Sequence, residues 1–358
     1  MSFVDPSGRV DRRAKSQVDG AQADGSPLLR RNLMVGFLVG IPLSLVFLYL
    51  AVRGLQPDEV ADSLTRGEPV RIALAVALMG VIYSVQAVRW RWIARRDGRL
   101  PWSLFLRFVI CSVAVNNVVP GRPGEVLRGY WLGRVLRMRQ ARAFATVVVD
   151  RSSDVLFLVA VFAATFAFVR HPPWLRHVFI AAMVLGALVV AAFAAARWHV
   201  GGHRSPVGVL SRRLRHSRPG LHAARFVHGA GASVNRRDVA VLAALTCTVW
   251  ACWAAAAWLV ASSLSISVSP LEVVFLTTVI NLGAAIPSSP GFVGTFQWLC
   301  VSGMALFGVG QADALAFSII MQAVWYVPTT LIGLPLLMHT GIAAWSHPPG
   351  VGDLSSPV

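Results

Sequence analysis

Charge is scarce in this chain, and acidic charge scarcer still: 14% of the 358 residues are charged, with 16 acids against 33 bases. At 56% hydrophobic residues and a mean hydropathy of +0.62, a water-soluble fold with one apolar core is excluded, and the chain reads as polytopic in a membrane. No zinc-finger or RNA-binding motif accompanies the net charge of +17, and the arginines stand between hydrophobic runs without interleaved aromatics. That excess signals topology and attraction to anionic lipid, and nucleic acid is not an expected partner. The four cysteines, Cys111, Cys247, Cys252 and Cys300, lie in apolar segments without metal-ligand spacing and read as small core residues. The nine histidines form neither H-E-x-x-H nor H-x-x-E-H, so neither a metal nor a cofactor is expected. A cleaved leader is not expected either. Residues 1–29 are polar and aperiodic, a disordered basic tail, and the first apolar run starts too late and is too long for a signal peptide.

Hydrophobic runs long enough to cross a bilayer at 1.5 Å per residue occur at about Leu33–Val52, Ile72–Ile93, Ala143–Val169, Val178–Ala196, Val239–Ser262 and Ala312–Met338. Between the first two lies an acidic loop with Asp58, Glu59, Asp62 and Glu68. The second ends in Arg89, Arg91, Arg95, Arg96 and Arg99, with Trp90 and Trp92 as interfacial anchors. The loop 197–237 carries nine arginines and no acid, which places it, and with it both termini, on the cytoplasmic side. The membrane domain is thus 30–340, followed by a cytoplasmic tail, 341–358.

Two further apolar segments are broken by proline and glycine, Ser103–Val119 with Glu125–Leu136 and Leu271–Ile286 with Phe292–Phe307, and they repeat each other. A shift of 167 residues lays Leu104, Phe108, Pro120, Pro123, Gly124, Val126, Trp131 and Leu132 on Leu271, Phe275, Pro287, Pro290, Gly291, Val293, Trp298 and Leu299. Chance predicts roughly two or three such identities over this length, so the pattern indicates a duplicated broken helix. Basic residues flank both ends of the first hairpin and none occurs in the second, so the first opens to the cytoplasm and the second outward, an inverted pair. The expected architecture is all-α: six full spans plus two re-entrant hairpins.

Ionisable side chains at membrane depth need partners or water. Glu125 and Arg128 are spaced i, i+3, Asp150 and Asp154 i, i+4, and Arg151 stands three before Asp154, so local pairing is available. These charges, with Arg122, form either a neutral pin between helices or a polar path for a lipid headgroup; their convergence on a helix break favours the path. Pro123 and Pro290 read as first helical residues, with Ser289 as N-cap of the second. Each start turns N–H groups and a positive dipole end toward membrane depth, a setting for phosphate or carboxylate. Glu125 already supplies an anion at the first; Ser288 and Ser289 leave the second more open. A plain Pro/Gly kink is the alternative. GRPGEVLRG lacks the Lys-Ser/Thr of a P-loop, no Ser/His/Asp nucleophile arrangement stands out, and Asp150 with Asp154 is not the close acidic pair of a metal-dependent sugar transferase. Trp250, Trp253 and Trp258 read as lipid-facing or packing residues, and Ala254–Ala257 as a close helix contact.

In order along the chain, NNVVPGRPGEVLRGYWLGR, ATVVVDRSSDVLF and IPSSPGFVGTFQ resemble the three signatures of the lysylphosphatidylglycerol synthase transmembrane region, the flippase-like domain family. The resemblance covers about residues 33 to 340. It implies an integral membrane protein that moves or handles lipids or lipid-linked precursors. In the synthases a separate soluble domain transfers the aminoacyl group; nothing follows Val358 here, which argues against lysyl transfer by this chain, and with the catalytic motifs above missing an enzyme is not the expected reading. Two positions depart from the family pattern: Gln297 stands where the second hairpin usually carries Glu, and Gln322 where the last span usually carries Arg.

The expected function is translocation of an anionic phospholipid or lipid-linked precursor headgroup across the cytoplasmic membrane. The alternatives are a membrane enzyme acting on a polyprenyl-linked sugar or phospholipid, and an accessory subunit. The candidate substrate-binding residues are Asn116, Asn117, Arg122, Glu125, Arg128, Asp150, Arg151, Asp154, Ser288, Ser289, Gly291, Gln297 and Gln322. The breaks are Pro120, Pro123, Gly124, Pro287, Pro290 and Gly294. Membrane lipids are the expected partners, with a second copy of the chain or an envelope-biosynthesis protein as further candidates.

Overall fold

The computed structural model describes residues 41–119, 121–169, 173–200, 236–283 and 289–339, and these are α-helical throughout apart from short turns and one 3-10 turn. The expectations for the N-terminal tail, the first span before Ile41, the basic loop as far as residue 235, the C-terminal tail, Pro120, Pro287 and Ser288 lie outside them.

In chain order the helices are α1 (Ile41–Val52), α2 (Pro57–Thr65), α3 (Pro69–Ala94), α4 (Trp102–Val118), α5 (Pro123–Val135), α6 (Gln140–Phe166), α7 (Pro173–Val200), α8 (Arg236–Ser263), α9 (Pro270–Gly283), α10 (Thr295–Ala305) and α11 (Gln311–His339). Four of them, α3, α7, α8 and α11, are long and apolar enough to cross a membrane, and the chain is an all-α polytopic membrane protein. The third expected span, α6, has 27 residues, and its interruption by Asp150, Arg151 and Asp154 sets it apart from those four.

Proline opens many of these helices. Pro57, Pro69, Pro123, Pro173 and Pro270 each stand at the first helical position, where the missing N–H is no loss and φ is already helical. The acidic stretch after the first span is therefore more than a loop. Pro57 starts α2, and Asp58 and Glu59 fall in its first turn, where carboxylates suit the positive dipole end. α2 docks on α11: Ser63 Oγ donates to Asp313 at 2.8 Å, and Arg66 pairs with the same carboxylate.

The core forms where small residues let helices approach. α3 and α8 share the most extensive contact, through buried Ala75, Ala87 and Ala94 on one and Ala256, Ala257 and Ala261 on the other. α4 and α11 meet closely at Gly333, where a side chain would press into Ala114 and the Ile110 carbonyl. By contrast α7 buries only 11% of its apolar window and presents Ile180, Val184 and Leu188 outward, a surface suited to lipid. Cys111 and Cys300 are core residues as expected, whereas Cys247 is exposed on α8.

Both repeated segments are helix, break, helix. α4 packs on α5 and α9 on α10. The second break is longer than proline placement suggests: Pro290 opens a 3-10 turn, Pro290–Phe292, and the helix begins only at Thr295. Positive φ at Gly291 and Phe292, and again at Gly294, prevents an α-helix from running through that interval.

Candidate functional site

The two breaks meet. The Arg122 guanidinium lies over the Phe292 ring at 4.9 Å, and Gly291 sits so near the Asn117 carbonyl and the Tyr326 ring that a side chain there would strike Tyr326. Next to this junction is a cavity of about 400 Å³. Asn116, Asn117, Arg122, Glu125, Arg128, Arg151 and Asp154 are among its polar lining residues, and Val109, Val113, Leu158, Leu185, Ile280, Phe292, Phe296 and the indoles of Trp250, Trp253 and Trp325 among its apolar ones.

The expected charges of this lining join with Asp150 in one network. Arg128 bridges Glu125 at 2.9 Å and Asp150 at 2.8 Å; Arg151 reaches Asp150 at 3.1 Å and Asp154 at 3.4 Å. At its centre is a residue that sequence reasoning assigned to the basic flank. Arg89 is fully buried, donates from Nε to Asp150 at 2.8 Å, and grips Asp154 with both terminal nitrogens at 2.6 and 2.9 Å. Thr246 accepts from the same guanidinium at 3.1 Å. Helical spacing could have found it: Ala75, Met79, Ile82, Gln86 and Arg89 recur every three or four residues and are all buried, so Arg89 continues the inward stripe of α3. Its neighbours Arg95 and Arg96 do behave as flank residues and pair with Asp238 at the start of α8.

Trp250 was also misjudged from sequence. Its indole donates to Asp154 at 3.1 Å, so it belongs to the network and is not merely lipid-facing or packing. A single Trp in an apolar helix gives no sequence signal for such a bond, since the acceptor is 96 residues away.

The N-terminal ends of the two hairpin arms are occupied by the protein itself. At the first, Asn116 Oδ1 accepts from the Gly124 N–H at 2.7 Å, with Arg122 held in the left-handed region at φ 55°. At the second, Gln297 Oε1 accepts from the Gly294 N–H at 2.6 Å, and the Ser289 N–H donates to Ser44 Oγ of α1 at 2.8 Å. The expected open anion seat at Ser289 is thus differently built. Ser289 Oγ turns to the Val293 carbonyl at 2.9 Å, and Gly294 is the N-cap of α10. Asn117 ties α4 to α11 through Thr329 at 3.1 Å and Thr330 at 2.9 Å.

The family model of the lysylphosphatidylglycerol synthase transmembrane region matches residues 34–333. This chain belongs to that family. Similar proteins include a UPF0104 membrane protein of Methanothermobacter thermautotrophicus, 24% identical over 84% of this chain and 94% of its own length, and a second from the same organism, 22% identical over 87% and 94%. Glycosyltransferase AglD of Haloferax volcanii is 24% identical over 88% of this chain, which spans 56% of that protein.

The two departures from the family pattern face each other. Gln297 Nε2 donates to Gln322 Oε1, and Gln322 Nε2 donates in turn to the Gly291 carbonyl at 2.5 Å. With Gln297 Oε1 on the Gly294 N–H, this chain of amides ties α11 across the second break to the start of α10. Gln297→Glu alone and Gln322→Arg alone should each strand a buried charge and cost roughly 3–5 kcal/mol, whereas the double variant should recover most of that loss as an ion pair. Unfolding of the three variants in mixed micelles checks this; singles no worse than the double would show that the amides do not act as a pair.

Proposed function

We propose that this chain moves an anionic lipid headgroup, of a phospholipid or a lipid-linked precursor, across the cytoplasmic membrane by way of the cavity where its two broken helices meet. The observation that supports this most is the composition of the cavity wall, which combines an arginine-rich ionic network for the headgroup with aromatic and aliphatic side chains for what is attached to it. An isolated charge at bilayer depth costs on the order of 2.5–3.5 kcal/mol on insertion scales. A preformed ionic wall lowers that cost for the passing headgroup.

The orientation follows from the arginine-rich, acid-free loop 197–237, which stays cytoplasmic with both termini. The first hairpin then opens inward and the second outward, an inverted pair whose tips share the site. An impermeant thiol reagent added to intact cells should fail to modify Ser211→Cys and should modify Ser288→Cys; labelling of Ser211→Cys would reverse the orientation.

The likeness to a glycosyltransferase favours one second reading, a membrane enzyme acting on a polyprenyl-linked sugar. Reconstitution into liposomes with fluorescent phospholipid separates the two. Transport changes the leaflet in which the headgroup is accessible and leaves the lipid intact; an enzyme returns a chemically altered lipid. Lysyl transfer is not part of the proposed activity.

A further inference from the structure

Helix α11 runs without interruption from Gln311 to His339 although two prolines, Pro328 and Pro335, stand in its interior. A proline lacks the N–H that would bond the carbonyl four residues back, and its ring presses on that carbonyl, so each one weakens the helix locally. Around Pro328 side chains hold the weakened turn. Thr329 Oγ1 donates to the Trp325 carbonyl at 2.6 Å and Thr330 Oγ1 to the Tyr326 carbonyl at 2.7 Å, while Asn117 Nδ2 of α4 donates to both hydroxyls. Threonine hydroxyls in this role bend helices and restore bonding around a proline at membrane depth. The stretch 331–339 around Pro335 contains no Ser, Thr or Asn.

The two halves of α11 hold different hairpins. Before Pro328, Gln322 is tied to Gln297 and to the Gly291 carbonyl, and the Trp325 ring meets those of Phe292 and Phe296. After it, Gly333 lets Ala114 and the Ile110 carbonyl come close, and Leu336 and Leu337 pack with Cys111, Leu127 and Trp131 of α4 and α5. A bend at Pro328 therefore displaces one hairpin relative to the other. The contacts that cross between them at this level are few and weak: Arg122 over the Phe292 ring at 4.9 Å, the Asn117 carbonyl beside Gly291, and Asn117 Nδ2 at 3.5 Å from the Tyr326 carbonyl.

We propose that Pro328 is a hinge: the first hairpin moves as one body with the second half of α11, the second hairpin as another with the first half. Flexing there parts Arg122 from Phe292 and the Asn117 carbonyl from Gly291, and so opens the junction of the two breaks. A few residues that absorb a backbone change between packed bodies are the usual construction of such a motion. Asn117, Thr329 and Thr330 act as its restraint. The motion belongs to the protein itself, whatever the cavity receives.

Hydrogen exchange of the full-length protein in nanodiscs tests this, read at the hydrogen-bonded amides of Gly124 and Gly294 beside the two tips. Pro328→Ala restores the missing N–H and stiffens the turn, so both amides should exchange about tenfold more slowly than in the parent. Pro335→Ala should leave them at the parent rate, because both sides of Pro335 belong to one body. Thr330→Val keeps the branched shape and removes the hydroxyl; it should speed both amides by about tenfold while the α3–α8 contact keeps its protection. Unchanged or faster exchange at the tips in Pro328→Ala would make the proline a fixed bend and overturns the hinge. Equal slowing by Pro335→Ala overturns its location. A Pro328→Ala variant that fails to fold leaves the decision to Thr330→Val, where unchanged tips, or a rise spread evenly over the whole domain, count against the hinge. None of these readings depends on lipid transport, so the hinge and the transport reading stand or fall separately.

Discussion

Arg89→Gln should be the most damaging single change in the ionic network, with a loss of roughly 3–5 kcal/mol of stability. The guanidinium is fully buried and is the group that holds Asp150 and Asp154 together, through one bond to the first and two to the second. Removing it leaves two carboxylates on adjacent turns of α6 with a deficit of positive charge, in a setting where water cannot screen them. Arg128 and Arg151 stay in place, but Arg128 is shared with Glu125 and Arg151 is 40% exposed, so neither replaces a bidentate grip. Asp154→Asn alone should be costly for the opposite reason, an under-neutralised buried arginine. Combining Arg89→Gln with Asp154→Asn restores the charge balance and should recover a large part of the loss, an interaction energy of about 1–3 kcal/mol in a double-mutant cycle. Unfolding of all three variants in mixed micelles gives that number. Simple additivity would mean that the two residues stabilise separate parts of the bundle.

Gly294→Ala should be nearly as severe, and without any change in charge. Gly294 has φ 89° and lies so close to the Ser44 carbonyl oxygen of α1 that a Cβ would fall inside its van der Waals radius. Backbone strain and overpacking each cost about 1–3 kcal/mol, and here both act on one residue with a backbone atom as the obstacle. The disturbance would pass directly to the amide chain, because the Gly294 N–H is bonded to Gln297. Gly124→Ala is its counterpart at the first break, where the obstacle is the Ser112 carbonyl. Gly80 supplies the contrast. It is helical and has open space where a Cβ would go, so Gly80→Ala should be neutral or stabilising by up to about 1 kcal/mol. Melting temperatures of the three variants should therefore split, with two well below the parent and one at or above it.

Much of this arrangement is legible in the chain because the membrane simplifies the reading. Apolar length places α3, α7, α8 and α11 within a few residues, and the paired Pro-Gly signatures locate both broken helices. The cost of buried charge correctly brings Glu125, Arg128, Asp150, Arg151 and Asp154 into one network. Arg89 was lost to a competing rule: arginines at a span end usually mark the cytoplasmic flank, and four of its neighbours within ten residues are also arginine. Only its place on the inward stripe of α3 distinguishes it. The second hairpin misleads for a different reason. Pro290 obeys the first-turn preference but opens a 3-10 turn, because glycines at 291 and 294 take φ values that no α-helix accommodates. The caps of Gly124 and Gly294 come from Asn116, eight residues back, and Gln297, three ahead. Gln297 follows the capping-box spacing, but with a glycine at the N-cap the sequence lacks the Ser or Thr that normally marks the motif.

The central claim, that a lipid headgroup passes by the cavity between the breaks, is tested most directly in liposomes carrying a trace of headgroup-labelled fluorescent phosphatidylglycerol and an impermeant reductant added outside. The account predicts that vesicles containing the protein lose fluorescence beyond the outer-leaflet fraction, with or without an imposed proton gradient or membrane potential as the driving force requires, and that the recovered lipid is chemically unchanged. Loss confined to the outer leaflet under every imposed gradient, or recovery of a modified lipid, would contradict it.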